Sequence, residues 1–231
     1  QIAKLLVEQG QNKLKMVVGA SSNPIGDIFG LPTDEDITID AQRVRAVREA
    51  VGDSVELMID ANKCCTYAQA LRLAKLVEPY NLTWFEDPVF LADPRLMGQL
   101  RKQTTIPLAA GSTGTSDLMY FREYFLHEAV DFAQPNVRDI GGYTNGLKAA
   151  AVAQAFNVPL AQGGNWPHIN MHLHAGVQNG GRIEFHYQGW KLVDTYFDGA
   201  VETIQGTVTL PEGPGLGFTP KDGLVKDFAT K

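Results

Sequence analysis

Cysteine is nearly absent from this sequence of 231 residues, which contains only Cys64 and Cys65. Two cysteines that are neighbours in the chain cannot join distant segments, and a disulfide between them would be strained. We therefore predict two free thiols, as in the reducing cytoplasm. The sequence also lacks any apolar run close to the ~20 residues that a membrane-spanning helix needs, and no basic-then-apolar leader marks it for export. These absences favour a cytoplasmic protein without a membrane partner.

Positive charge is also scarce, because 20 lysines and arginines face 26 aspartates and glutamates, and the formal net charge is −6. A nucleic-acid-binding surface needs clustered lysine and arginine, so the charge balance argues against a nucleic-acid partner. Apolar residues make up 44% of the chain, as in ordinary globular proteins. A chain of this length and composition can form one large α/β domain with a substantial core.

Short apolar runs, each about the length of a buried strand, alternate with amphipathic stretches along most of the chain. The runs predicted as strands are residues 13–18, 55–60, 82–86, 107–110, 131–134, 158–162 and 182–185. The stretches predicted as helices have apolar residues three to four apart, and include residues 41–51, 67–77 and 146–156. Regular alternation of strand and helix implies right-handed crossovers and a parallel sheet.

Two closures of such a sheet compete, an open doubly wound sheet and a (β/α)8 barrel. The glycine pattern of a dinucleotide-binding loop is missing after the first strand, where Gly19 has no second and third glycine behind it. Polar residues instead lie at the carboxyl end of almost every predicted strand, where a barrel assembles its active site. We therefore predict an α/β fold of the (β/α)8-barrel type.

The ends of the predicted barrel are unusual. Seven strands are predicted rather than eight, and a helix at residues 2–8 precedes the first of them, so we expect the barrel to lack its first strand. The barrel domain is predicted to span residues 1–196. Residues 197–231 are predicted to form a C-terminal tail with a strand at residues 203–210 and the turn-rich segment PEGPGLGF. The segment 19–37 is predicted as a loop that shapes the substrate pocket or as a disordered insert.

Three polar residues follow successive predicted strands at equal intervals of 26 residues: Asp60 in MIDAN, Glu86 in WFEDP and Ser112 in AAGS. Carboxylates at the ends of adjacent barrel strands face the mouth side by side, where a hard cation such as Mg²⁺ takes oxygen ligands. Either acid alone is as well interpreted as a solvated strand end. The shared interval favours a metal site.

Lys13 and Lys15 stand two apart in the first predicted strand. Period-two alternation points both to the same side, which we expect to be the barrel interior. A buried lysine is costly unless it is paired or functional, and a second ammonium nearby lowers its pKa toward that of a useful base. The alternative is that both lysines are solvated on an edge strand. We favour it less, because a parallel strand inside a barrel has no exposed face.

The Lys-x-Lys strand, the MIDAN and FEDP motifs, the QPN–IGGYT segment and the closing PEGPGLGF occur in a specific order and spacing. In these features the chain resembles the mandelate racemase/muconate lactonizing branch of the enolase superfamily, from about residue 13 to residue 218. The resemblance implies a (β/α)8 barrel that works with a separate N-terminal capping domain, which these residues do not include. It also implies Mg²⁺, which holds the carboxylate of a small-molecule substrate and stabilises an enediolate, and a homo-oligomer for the complete protein.

The resemblance assigns a role to each candidate site residue. Asp60 and Glu86 match the first two metal ligands, and Ser112 stands at the position of the third. Lys15 matches the lysine acid/base, which Lys13 tunes while it neutralises substrate charge. A further residue, Glu184 in RIEFH, matches the carboxylate that hydrogen-bonds the developing enediolate in relatives.

The sequence departs from this family in its metal ligands and in its second acid/base. Ser112 replaces the usual third glutamate, and a neutral hydroxyl is a poor Mg²⁺ ligand, so affinity should fall unless water, Asn62 or Asn136 compensates. The His–Asp dyad of many relatives is missing, because Asn136 and Gly164 stand at its positions.

A replacement for the dyad is His168, at the start of a helix predicted over residues 169–177. This position lies at the barrel mouth, within loop reach of Lys15. A structural hydrogen bond at the helix start explains His168 equally well, and both interpretations stay open. His172 and His174 are predicted to be packing residues.

The residues together predict a lyase, in which Lys15 removes the α-proton of a hydroxy-acid or acid sugar and a β-hydroxyl leaves with help from an acid such as His168. One lysine without an opposing dyad favours elimination over racemisation, which needs a base on each face. The alternatives are an isomerase of the same branch, meaning an epimerase, racemase or cycloisomerase, and a degenerate non-catalytic paralogue with an impaired metal site.

Overall fold

The computed structural model describes residues 1–19, 32–112 and 117–224, apart from the side chain of Gln188. Five parallel strands form one sheet in which each strand is hydrogen-bonded to the next in sequence. The strands are β1 (Lys13–Val17), β2 (Glu56–Asp60), β3 (Trp84–Glu86), β4 (Leu108–Ala110) and β5 (Phe132–Ala133). The parallel α/β architecture predicted from the sequence is therefore confirmed.

Two further segments continue this order through single parallel bridges. Ala133 bridges to Leu160, and Ala161 bridges to Arg182. The strands predicted at residues 158–162 and 182–185 are thus reduced to isolated pairings. Backbone amides that would continue the strand pairing form other hydrogen bonds instead. The amide of Leu160 donates to the carbonyl of Asn179, and the amide of Glu184 donates to the side chain of Gln162.

Helices connect the strands and cover the sheet. They are α1 (Ile2–Glu8), α2 (Asp34–Val51), α3 (Tyr67–Val77), α4 (Pro94–Arg101), α5 (Leu118–Leu126), α6 (Tyr143–Ala155), α7 (Pro167–Ala175) and α8 (Tyr187–Tyr196), with short 3₁₀ turns at Glu78–Tyr80 and Phe90–Ala92. No helix within the described ranges combines the length and the apolar character that crossing a membrane requires.

The N-terminus of α2 corrects the loop predicted over residues 19–37. The hydroxyl of Thr33 accepts the backbone amide of Asp36, whose side chain accepts the amide of Thr33 in return. This capping box satisfies two free helix donors, so the helix begins at Asp34. Residues 20–31 of the predicted loop lie outside the described residues.

Alternation along the strands separates two apolar regions. Outward-facing residues such as Leu57, Ile59 and Phe85 belong to a large core between the sheet and the helices. Inward-facing residues form a smaller cluster, which consists of Met58, Trp84, Ala109 and Ala161 with Phe132 packed against it. The sheet thus has a second, enclosed face, as the interior of a barrel does.

Arg182 joins the last bridged segment to the beginning of the sheet. Its guanidinium lies 5.8 Å from the ring centroids of both Trp84 and Phe132. One guanidinium nitrogen lies 2.6 Å from Oε2 of Glu56 in β2. The ion pair connects residues 126 positions apart and ties the segment at Arg182 to the beginning of β2.

The strand predicted at residues 203–210 is wrong. Gln205 and Gly206 both have positive φ, 48° and 71°, so this segment turns back on itself and keeps only a bridge between Ile204 and Thr207. The tail instead forms a short antiparallel pair of β6 (Phe197–Asp198) and β7 (Thr219–Pro220). The division into a barrel at residues 1–196 and a tail at 197–231 stays a prediction.

Candidate active site

Lys15 lies among three carboxylates at the carboxyl ends of the strands. Its Nζ is 2.7 Å from Oε1 of Glu86, 3.0 Å from Oδ2 of Asp60 and 3.3 Å from Oε1 of Glu184. All four side chains are largely buried: Lys15 is 15% exposed, Glu86 2%, Asp60 10% and Glu184 19%. One ammonium for three carboxylates leaves the site with an excess of negative charge if all are ionised.

The strand register brings these groups together. Val17 is paired with Asp60, and Asp60 with Glu86, so both acids end their strands at the same level. Each acid follows an inward-facing residue by two positions, which places it on the inner face of the sheet. Lys15 is paired with Met58, two residues below Asp60. Its long side chain therefore reaches along the strand toward the rim.

Each of the three carboxylates has one oxygen held by a neutral donor and the other directed at Lys15. The backbone amide of Asn62 donates to Oδ1 of Asp60 at 2.9 Å. The indole Nε1 of Trp84 donates to Oε2 of Glu86 at 3.1 Å. For Glu184, the donors to Oε2 are the backbone amides of Gly164, at 2.6 Å, and Asn165, at 3.3 Å. These bonds fix which oxygen faces the centre of the site.

Burial and mutual charge shift the pKa values of this cluster. Burial lowers the pKa of Lys15, but the charges of Glu86, Asp60 and Glu184 outweigh that effect and raise it well above its ordinary value. Burial raises the pKa of Glu86, and the neighbouring charge of Asp60 raises it further. Lys15 therefore holds its proton in this arrangement, and the carboxylates compete for positive charge.

Ser112 is buried beside this cluster and is engaged elsewhere. Its hydroxyl donates to Oδ2 of Asp87 at 3.2 Å, and the same oxygen lies 3.2 Å from Nζ of Lys63. Burial raises the pKa of Asp87 to about 6, although Lys63 acts in the opposite direction. The hydroxyl that stands at the predicted third ligand position is thus turned toward Asp87.

A small space next to Gly163 connects Ser112 with the cluster. A Cβ atom at Gly163 would lie 2.8 Å from Oε1 of Glu86, 2.9 Å from Nε2 of Gln134 and 3.1 Å from Cβ of Ser112. Gln134 was not among the residues proposed from the sequence, although its place at the end of a predicted strand was a signal. The ends of β3, β4 and β5 therefore line one common cradle.

The donor set fits a hard divalent cation. Mg²⁺ takes oxygen ligands, carboxylates above all, and the site offers the carboxylates of Asp60 and Glu86, with the amide of Gln134 across the cradle from Glu86. The excess of carboxylates over ammonium groups favours the same kind of ion. Within the ranges that the structure describes, no three histidine, cysteine, aspartate or glutamate side chains form a metal-binding group. A cation at Asp60 and Glu86 would share its space with the ammonium of Lys15.

The structure does not bring Lys13 to the cluster. Its side chain is exposed, and its Nζ contacts Oδ1 of Asn12 at 3.1 Å. In register it lies opposite Glu56, at the beginning of β2, whereas Asp60 lies at the end. The two lysines share a strand face, but only Lys15 is close enough to the rim.

His168 is also separate from the cluster. It is 1% exposed, and its ring centroid lies 6.2 Å from that of Phe185 and 5.9 Å from that of Phe218 in the tail. Burial lowers its pKa, while a backbone bond at Val201 and the charge of Asp194 act in the opposite direction. Among the residues described, no hydrogen bond or ion pair joins His168 to Lys15.

Asn136, at the position of the missing dyad aspartate, holds a loop in place. Its Nδ2 donates to the carbonyls of Gly163 at 2.9 Å and Gly164 at 3.0 Å, and its Oδ1 accepts Nδ2 of Asn170 at 3.1 Å. These bonds position the loop whose amides hold Glu184. The predicted compensation of the metal site by Asn136 or Asn62 stays a prediction.

Proteins with similar sequences include sugar-acid dehydratases and a cycloisomerase. The family model described as "Enolase C-terminal domain-like" matches residues 1–224. Arabinonate dehydratase from Saccharolobus solfataricus is 29% identical over 229 residues, 97% of this chain and 57% of that protein. L-talarate/galactarate dehydratase from Salmonella typhimurium is 32% identical over 209 residues, 89% of this chain and 50% of that protein. The 3,6-anhydro-alpha-L-galactonate cycloisomerase from Streptomyces coelicolor is 33% identical over 194 residues, 84% and 50% of the two chains.

Solved structures of such proteins share the fold. L-talarate dehydratase from Polaromonas sp. JS666, complexed with Mg and L-glucarate, superposes with a TM-score of 0.81 at 28% identity, over 96% of this chain and 57% of that one. A racemase from Streptomyces coelicolor with bound magnesium gives the same TM-score and identity over 95% and 55% of the two chains. The chain spans about half the length of the curated relatives that it matches.

Proposed function

Because this chain belongs to the enolase C-terminal domain-like family, we propose that the complete protein removes the proton alpha to the carboxylate of an acid sugar and eliminates water. The observation that carries this proposal is the convergence of Lys15 with Asp60, Glu86 and Glu184. A lysine that faces oxygen ligands for a hard cation is suited to a substrate that carries a carboxylate. Asp60 and Glu86 would hold Mg²⁺, which supplies a Lewis acid for that carboxylate.

Lys15 is the proposed acid/base. Burial alone lowers its pKa, and the three carboxylates are what raise it. Any positive charge that pairs with Asp60 and Glu86 therefore shifts Lys15 toward the neutral amine that a base needs. Glu184 is held by two backbone amides with Oε1 directed inward. We propose that it contacts the oxygen on which charge develops.

Elimination is favoured over isomerisation by the asymmetry of the site. An epimerase or racemase needs a competent group on each face of the substrate, whereas the cluster contains one lysine. Dehydratases among the similar proteins support this choice. His168 is not assigned the acid role, because it packs against Phe185 and Phe218.

An isomerase is the second candidate, which the similar cycloisomerase supports. Cycloisomerisation also starts with a proton next to a carboxylate, so Lys15 would keep its role. The third candidate, a degenerate paralogue without catalysis, is supported by Ser112, which takes the place of a carboxylate and donates to Asp87.

These candidates differ in how the complete protein acts on acid sugars in D₂O with Mg²⁺. Proton NMR would follow arabinonate, gluconate, galactarate and talarate. We expect loss of the α-proton signal together with a dehydrated keto product, and neither with Lys15→Met. The control is Lys102→Met, which removes a lysine that is 68% exposed. Lys13→Met shows whether Lys13 has the role predicted for it.

Three results would contradict the dehydratase. Exchange of the α-proton without loss of water would indicate the isomerase. Activity that survives in Lys15→Met would exclude Lys15 as the base. A protein that binds Mg²⁺ and acid sugars without exchange or product would support the degenerate paralogue.

A further inference from the structure

The side chain of Gln134 is an exception among the buried amides of this rim. The residue has no exposed surface, and among the residues that the structure describes neither its Oε1 nor its Nε2 has a hydrogen-bond partner. A buried polar atom without a partner destabilises the folded state, and an amide has two such atoms. Proteins rarely retain such a group unless it serves an ion, a water molecule or a ligand.

The neighbouring Gln162 shows how this rim normally satisfies a buried amide. Its Nε2 donates to the carbonyl of Gly163 at 2.9 Å and to that of Asn165 at 2.6 Å. Its Oε1 accepts the backbone amide of Glu184 at 2.9 Å. Every polar atom of Gln162 is thus used in the fold, whereas the amide of Gln134 makes no such bond to the residues that the structure describes.

Gln134 lies where a ligand of the candidate site would be. Its Nε2 and Oε1 of Glu86 are 2.9 Å and 2.8 Å from the same point, the Cβ position that Gly163 leaves empty. Ser112 follows β4, the strand between them, and its hydroxyl donates to Asp87. The cradle thus has a carboxylate on one side and an unpartnered amide on the other.

We propose that Gln134 is a ligand of the divalent cation held by Asp60 and Glu86. Its amide oxygen supplies the third donor, because the hydroxyl of Ser112 is not directed into the site. The identity of that cation rests on the proposed function. Because neither amide atom is bonded, the group can turn over without breaking a hydrogen bond. With a cation bound, the amide presents its oxygen to the ion. Without a cation, it presents its NH₂ group to the cradle.

The direct test is Mn²⁺ binding, followed by electron paramagnetic resonance and by calorimetry with Mg²⁺ competition on the complete protein. Gln134→Leu keeps a side chain of similar size without donors, and we expect about 10- to 100-fold weaker binding, as for loss of other groups that support a metal site. Gln134→Glu should bind more tightly than the wild type. The control is Gln154→Leu, which removes an exposed amide that contacts Gln178.

A second measurement separates this role from a structural one. Without metal, Gln134→Leu should raise the melting temperature, because the substitution removes two unsatisfied buried atoms. A ligand role therefore predicts higher stability together with weaker Mn²⁺ binding. A purely structural role predicts lower stability with unchanged binding.

Gly163→Ala fills the cradle without the strain of a positive φ, since the structure records none at Gly163. We expect it to weaken Mn²⁺ binding as strongly as Gln134→Leu does. The proposal is overturned if Gln134→Leu binds Mn²⁺ like the wild type while Asp60→Asn does not bind. If the wild type fails to bind and Ser112→Glu binds, both the metal-dependent function and the role of Gln134 are excluded.

Discussion

Lys15 and Glu86 form the shortest ion pair of the candidate site, with 2.7 Å between Nζ and Oε1. The other oxygen of Glu86 accepts the indole of Trp84, so the carboxylate cannot turn without losing one of the two bonds. Lys15 thereby occupies the space between Asp60 and Glu86 that a cation would use. Ammonium and metal ion are expected to compete for these carboxylates, which makes the site accessible to measurement without a known substrate.

Replacing Lys15 should expose this competition. Lys15→Met leaves three carboxylates without their cation, and removing one partner of a buried ion pair costs about 3–5 kcal/mol. Mg²⁺ binds the folded state and should restore part of that loss. Urea unfolding with and without Mg²⁺ is the measurement, and the gain in stability should be larger for the variant than for the wild type. Equal gains would contradict competition between ammonium and metal.

The indole of Trp84 is expected to stabilise the fold through its bond to Glu86. Trp84→Phe keeps an aromatic ring beside Arg182 but removes a hydrogen bond to a charged group, which is worth about 2 kcal/mol. Trp190→Phe is a matched control, since Nε1 of Trp190 is buried without a partner in the part of the chain that the structure describes, and its loss should cost less than about 1 kcal/mol. Free energies of unfolding from urea titrations would compare them. Similar losses would show that ring size, not the hydrogen bond, matters at residue 84.

Arg48 ties the end of α2 to the loops around it. Its guanidinium donates to the carbonyls of Gly52, Val55, Tyr80 and Asn81. Arg48→Met removes all four hydrogen bonds of a buried guanidinium and leaves the buried carbonyl of Val55 unpaired, so we expect a loss of roughly 3 kcal/mol in the free energy of unfolding.

Arg45 on the same helix provides the control for Arg48. It is 62% exposed and pairs with Glu49 four residues later, and an ion pair in such an exposed position contributes little to stability. Thermal unfolding of Arg45→Met should therefore match the wild type closely. A comparable loss of stability in both variants would mean that any arginine substitution in helix α2 has this effect, and not the bonds of Arg48 in particular.

Acid should destabilise the protein through His174. Burial lowers the pKa of His174 to about 4 from an ordinary value of 6.5. Below pH 6.5 His174 is protonated in the unfolded chain but stays neutral in the folded chain. The free energy of unfolding is therefore unaffected by His174 above pH 6.5 and decreases as the pH falls from 6.5 toward 4. The loss amounts to roughly 3 kcal/mol.

The variant that tests this pH dependence is His174→Gln. Nδ1 of His174 accepts the backbone amide of Gly181 at 3.3 Å, and glutamine supplies an acceptor that does not titrate. Unfolding free energies measured between pH 4 and pH 7 should depend less on pH in the variant. An unchanged slope would assign the acid sensitivity to other groups.

The order of the five sheet strands could be predicted from the chain alone, because short apolar runs mark them, whereas helices α4, α5 and α8 were not predicted individually. Asp60 and Glu86 were expected side by side at strand ends, and the register places them there. The tail was less predictable. Residues 203–210 alternate like a strand, yet the positive φ values of Gln205 and Gly206 turn the backbone, and the strand partner of Phe197 is Pro220.

Side-chain environments at the site were harder to predict than its strands. Period-two alternation put Lys13 and Lys15 on one face of the strand. It does not show how far each lysine lies from the carboxyl end of the strand, and Lys13 lies at the opposite end from Asp60. His168 was expected at the mouth, but it packs against Phe185 and against Phe218, which lies 50 residues later in the chain. Gln134 gave no signal beyond its place at a strand end, because the absence of a partner becomes visible only when all neighbours are assembled.

The sequence by itself determined the family, the parallel α/β order and the pair of acids at adjacent strand ends, since these depend on motifs and on periodicities within a few residues. Only the tertiary structure decided which groups share the site. Lys15 meets Glu184 across 169 positions of sequence, and Gln134 meets Glu86 across the cradle of Gly163. Such contacts depend on how strands and loops from distant segments pack, and on how burial and charge balance once they have packed.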